Sequence, residues 1–79
     1  MGQKVKLIWE YRGPEAQQIA EHYEHHLVEF MEEHSLMYRI AGTESLSEMY
    51  SVAFMVVDES EIEMVRNILR PRKAVLYQE

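Results

Sequence analysis

KVKLIWEYRGPE, residues 4–15, passes from one side-chain periodicity to another, and that change decides how the rest of the chain is read. Val5, Leu7, Trp9 and Tyr11 fall on one side of an extended backbone and Lys4, Lys6 and Glu10 on the other, with only Ile8 out of step. Alternation of this kind predicts a half-buried strand. Gly13 permits an unusual turn, Pro14 suits the first position of a helix, and Glu15 favours the positive helix start. A helix is therefore predicted from Pro14.

Beyond it, Ala16, Ile19, Ala20, Tyr23, Leu27, Phe30 and Met31 share one stripe of a helical wheel, predicting a two-sided helix to about His34. Residues 36–41 read as a second strand ended by Gly42. A polar loop, residues 43–47, precedes a β-branched and aromatic third strand over 48–57. Asp58, followed three residues later by Glu61, has capping-box spacing for a second helix. Ile62, Val65, Ile68 and Leu69 form its apolar stripe, and Arg70 before Pro71 ends it. Residues 73–78 complete the order β-α-β-β-α-β as a single α+β domain spanning 1–79.

That order resembles the ferredoxin-like plait, in which two helices cover one face of a four-stranded antiparallel sheet. The chain's size is similar to one unit of the dimeric α+β barrel proteins, which pair sheets face to face around small-molecule pockets. The resemblance implies a homodimer with the open sheet face as its seam or ligand surface. More specific plait families are departed from at their functional residues. The Cys-x-x-Cys of heavy-metal-associated domains is replaced by Tyr11-Arg12-Gly13-Pro14. The basic-Gly-aromatic-Gly-aromatic pattern of RNA-recognition motifs is replaced by Tyr50-Ser51-Val52-Ala53-Phe54. Arg12-Gly13-Pro14 is similar to the turn of amino-acid-sensing ACT domains, without its Asp and with Pro and Gly reversed.

Composition narrows the functions. Of 79 residues, 47% are apolar, which supports a folded core, yet a domain this small buries only about 60% of its unfolded surface and gains from association. Without cysteine there are no disulfides and no thiolate metal sites. No signal-peptide core opens the sequence, and the longest apolar run, residues 52–57, is far below the roughly 20 residues of a spanning helix, so a soluble cytoplasmic protein without membrane partners is expected. Met1-Gly2 is no acylation signal, because Lys6 stands where Ser or Thr is required. Eight basic against fourteen acidic residues give a charge of −6, and the basic residues that gather at Arg66, Arg70, Arg72 and Lys73, beside Glu59, Glu61 and Glu63, make only a local patch, so no nucleic-acid partner is expected.

Candidate sites follow from these assignments. With bulkier Tyr50, Val52, Phe54 and Val56 assigned to the core, the open face is expected to carry Ile8, Glu10, Ser51, Ala53 and Met55, with Arg39 from the hairpin partner, as a ligand or dimer surface. Arg12 and Gly13 could hold an anion at the helix start. His22 and His26, one helical turn apart, could hold a divalent metal together with Glu29. Catalytic residues are not identifiable: there is no Cys and no nucleophile elbow, and a small barrel-type enzyme would draw on His26, Glu10 and Arg39. No cofactor is expected. The leading expectation is a homodimeric, non-enzymatic ligand- or partner-binding module.

Overall fold

A computed structural model describes residues 2–78. Its elements are β1 (Lys4–Arg12), α1 (Ala16–Glu33), β2 (Ile40–Ser47), β3 (Tyr50–Asp58), a 3-10 turn (Glu59–Glu61), α2 (Ile62–Leu69) and β4 (Lys73–Leu76). The strands form one open antiparallel sheet in the order β2-β3-β1-β4, the ferredoxin-like arrangement. Both helices lie on one side of it. No helix is long and apolar enough to cross a membrane among the described residues.

The helix-side core joins Val5, Leu7 and Trp9 of β1 to Ala20, Leu27, Phe30 and Met31 of α1, Val65 of α2, and Ala53, Met55 and Val57 of β3. Directly opposed residues of antiparallel strands share a face. Trp9 opposes Ala53, Leu7 opposes Met55 and Val5 opposes Val57, so large and small side chains complement one another beneath α1. The Trp9 indole N–H donates to the Leu69 carbonyl at 3.0 Å, tying the end of α2 to the centre of the sheet.

The helices end by identifiable devices. After α1, the amide of Ser35 donates to the Glu32 carbonyl and that of Leu36 to the Met31 carbonyl, with Ser35 at φ 51°: this is a Schellman motif with serine in the left-handed position usually given to glycine. Leu36 is buried at its end. At the other helix, the Asp58 carboxylate accepts from the Ser60 amide at 3.0 Å while Glu61 Oε1 accepts from the Asp58 amide at 3.0 Å, completing the capping box. Arg70, left-handed at φ 51°, terminates α2 before Pro71.

Several boundaries differ from expectation. α1 starts at Ala16, since Pro14 and Glu15 lie in a turn closed by the Ala16 amide donating to the Gly13 carbonyl at 3.1 Å. β2 begins at Ile40 and runs through Gly42 and the polar stretch to Ser47, with the hairpin turn at Glu48 and Met49. Gly42 does not stop the strand. It makes room for the Phe54 ring, whose Cζ would lie 3.0 Å from an added Cβ. β4 stops at Leu76, although the Tyr77 amide still donates to the Lys4 carbonyl. Ile19, placed on the core stripe of α1, is 47% exposed.

Candidate functional site

The face assignment of β3 is the main correction. Ser51, Ala53 and Met55 are buried beneath the helices, at 1%, 0% and 0% exposure, and take no part in the open face. The set judged bulkier, Tyr50, Val52, Phe54 and Val56, lies opposite Arg12, Glu10, Ile8 and Lys6 on the other side of the sheet. A helix lying close on a sheet beside Trp9 accommodates small residues better than a second large ring. Val52 and Val56 are nonetheless buried, each flanked on this face by residues of both neighbouring strands, Glu10 and Glu44 for Val52 and Lys6 and Ile40 for Val56.

Arg39 is also displaced. It lines a groove with Val28, Met31, Glu32 and Ala41 at the β2 edge, on the helix side of the sheet. Ile8 and Glu10 do lie on the open face.

That face is an array of cations over aromatic rings. Lys6 Nζ sits 4.3 Å from the Phe54 ring centroid, Arg12 stacks 4.2 Å from that of Tyr50, and Lys4 Nζ lies 5.1 Å from that of Tyr38. Contacts of this kind fix a long side chain over a ring while leaving its charge in water. Lys6 also pairs with Glu44 at 3.0 Å, an exposed ion pair worth no more than about 1 kcal/mol.

Glu10 is the hub. Its Oε2 accepts from the Tyr50 hydroxyl and from Lys73 Nζ, both at 2.8 Å, and Arg72 Nε is 3.8 Å from Oε1. Its side chain is only 13% exposed. Hydrogen bonds from Lys73 and then Tyr50 hold the Glu10 carboxyl below its ordinary range, and the same carboxylate pushes Tyr50 and Lys73 upward. The ion pair and phenol bond therefore persist from the acidic range into the alkaline, and Glu10 contributes little unbalanced negative charge.

Lys4, Lys6, Arg12, Arg72 and Lys73, five of the chain's eight Lys and Arg residues, thus border one surface with Glu10 and Glu44. Asp58, at the same end as Lys4, is buried and engaged in the capping box. α1, on the opposite layer, carries Glu21, Glu24, Glu29, Glu32 and Glu33 and neither Lys nor Arg. The net charge of −6 conceals two surfaces of opposite sign.

The remaining candidates are not assembled. His22 and His26 meet ring edge to ring face with centroids 5.0 Å apart, and His26 Nδ1 is 3.7 Å from Glu29. Among the described residues no three His, Cys, Asp or Glu side chains are grouped to hold a metal ion, so the predicted set of His22, His26 and Glu29 does not form a centre. The Gly13 amide donates to the Met49 carbonyl at 2.8 Å and so has no free N–H for the helix-start anion site expected from Arg12 and Gly13, while the Arg12 guanidinium lies over Tyr50 on the open face. Glu10, Arg39 and His26 lie respectively on the open face, in the β2-edge groove and on exposed α1, and form no common pocket.

Residues missed from sequence were Tyr50, Phe54, Lys73, Arg72 and Tyr38. The large-to-small pairing of Trp9 with Ala53 was the available signal for the correct face. The fold is ferredoxin-like, and its distinguishing feature is the charged aromatic sheet face. Compared with family models, curated proteins and solved structures, the chain matches none.

Proposed function

We propose that the protein is a non-enzymatic binding module whose recognition surface is the open sheet face and whose partner is a polyanion. The observation that carries this reading is charge segregation: five of the eight Lys and Arg residues gather on the sheet face, while α1 carries five of the fourteen acidic residues and neither Lys nor Arg. A chain of charge −6 repels a polyanion at long range, so only a locally basic surface can engage one. Glu44 pairs with Lys6 and Glu10 with Lys73 and Arg72, and the five cations of the face outnumber these two carboxylates. Heparin resin at low ionic strength tests it. The protein is expected to be retained and released by salt, and a Lys6→Glu/Arg12→Glu double variant with unchanged circular dichroism is expected to pass through. Flow-through of the wild-type protein would refute it.

Self-association has a separate support. β4 is an edge strand, and Val75 and Leu76 on it are 44% and 60% exposed, with Ile68 of α2 at 53%. A symmetric dimer packed sheet to sheet would press two basic faces together, whereas one joined along β4 would cover this apolar edge and leave the faces open. Sedimentation at micromolar concentration, with Val75→Lys as the disrupting variant, tests the edge dimer; a wild-type monomer would rule it out.

A further inference from the structure

Resting on the polyanion reading, the rings beside the charges identify the class of partner. A ligand recognised by charge alone has no use for aromatic side chains, yet here Lys6, Arg12 and Lys4 each lie over one. The rings are held in place from beneath and from the side. Tyr50 is anchored through its hydroxyl to Glu10, and Phe54 lodges against Gly42, where any Cβ would crowd it. Lys6 and Arg12, by contrast, are long flexible chains attached at neighbouring strand positions, and Arg12 is exposed and in no ion pair among the described residues.

We infer that the open face binds single-stranded nucleic acid: backbone phosphates draw Lys6 and Arg12 from Phe54 and Tyr50, and bases stack on the ring faces they leave. Stacking is indifferent to sequence because every base has a π-face, and electrostatic tracking of the backbone supplies the remainder. A duplex does not fit, since its base faces are hidden within the stack and a sheet face does not enter its grooves as a helix does. An acidic peptide satisfies the cations and leaves the rings unused. The reading reverses the expectation of no nucleic-acid partner, because that expectation rested on net charge and on the small basic cluster near the C-terminal end, and not on the cations that strand pairing gathers on one face.

The test is fluorescence anisotropy of the whole protein with a labelled oligothymidylate of about 15 nucleotides, long enough for a site of this kind. Inorganic polyphosphate and poly-glutamate serve as base-free competitors. With two phosphates neutralised, by Lys6 and Arg12, log affinity is expected to fall with log salt at a slope of about −1.4. Wild-type protein is expected to prefer oligothymidylate to polyphosphate of equal charge, and Phe54→Leu or Tyr50→Leu to reduce that preference roughly 5- to 100-fold. Two positions are used so that one poorly folded variant, detected by Trp9 fluorescence, does not decide the result. Equal affinity for oligothymidylate and polyphosphate, a preference unmoved in both variants, or equal competition by poly-glutamate would overturn the nucleic-acid inference while leaving the polyanion reading intact. Failure of every polyanion to bind would remove both.

Discussion

Truncating Met55 to alanine tests the sheet register on which every functional statement depends. Met55 is fully buried, opposes Leu7 and belongs to the helix-side core. Met55→Ala deletes three heavy atoms beyond Cβ. At about 0.8 kcal/mol per buried methylene-sized group the transfer loss is about 2.4 kcal/mol, and partial collapse of the resulting cavity brings the total to about 3 kcal/mol. Against a whole-domain stability of about 4–12 kcal/mol, this is a large fraction. Urea unfolding followed by far-UV circular dichroism, with a slope near 1 kcal/mol/M for so small a protein, should show the midpoint lowered by about 2–3 M. Met37→Ala is the control: Met37 is 61% exposed, and its truncation is expected to stay within about 0.5 kcal/mol of wild type. If Met55→Ala were as mild as the control, β3 would present the opposite face, and the cation-aromatic array would lie inside the protein and not on its surface.

Three further outcomes follow from the geometry. Ser35→Gly should raise stability by about 0.5–1 kcal/mol, measured by the same urea titration, because serine is left-handed in the Schellman motif and glycine relieves most of that cost. Burial, with Tyr23 close by, pushes the Tyr11 phenol up from 10.0 to about 12. The folded state therefore holds the proton more tightly than the unfolded one, so this contribution to stability is fully present below pH 10 and is lost as pH rises from 10 towards 12; a pH-independent thermal midpoint across that window would contradict it. Glu10→Gln should strengthen retention on heparin and steepen its salt dependence, since Lys73 and Arg72 lose the carboxylate they share; weaker retention would show that Glu10 orders the face more than it neutralises it.

Local chemistry was legible where one residue type performs one task. The capping box at Asp58 and Glu61 and the termination of α2 at Arg70 before Pro71 depend on contacts within a few residues, and they form as read. The β-α-β-β-α-β order followed from such signals together with alternation in β1. Gly42 misled because a glycine in a β pattern is equally a strand end or a place for a neighbouring ring, and only the position of Phe54 across the hairpin separates the two. β3 misled for a related reason. Along its run from Val52 to Val57 every residue but the half-buried Phe54 is buried, on the open side as well as beneath the helices, so hydrophobicity does not alternate along it.

The functional surface was hidden by the same long-range pairing. Composition reports only the sum of charges, and a sum of −6 describes a uniformly acidic protein as well as one with an acidic helix and a basic sheet. What separates them is that Lys4, Lys6 and Arg12 alternate on β1 and that β4 pairs with β1 so that Lys73 stands beside Ile8, bringing cations distant in sequence onto one face. Because β1 is central, its outward side chains are flanked by strands on both sides, and rings from β3 can lie under its cations. An edge strand could have presented the same charges to water with a ring on one side only. The plait's strand order thus turns the alternation of one short segment into a two-dimensional array, and it is this array, more than any single residue, that recommends the open face as the site of function.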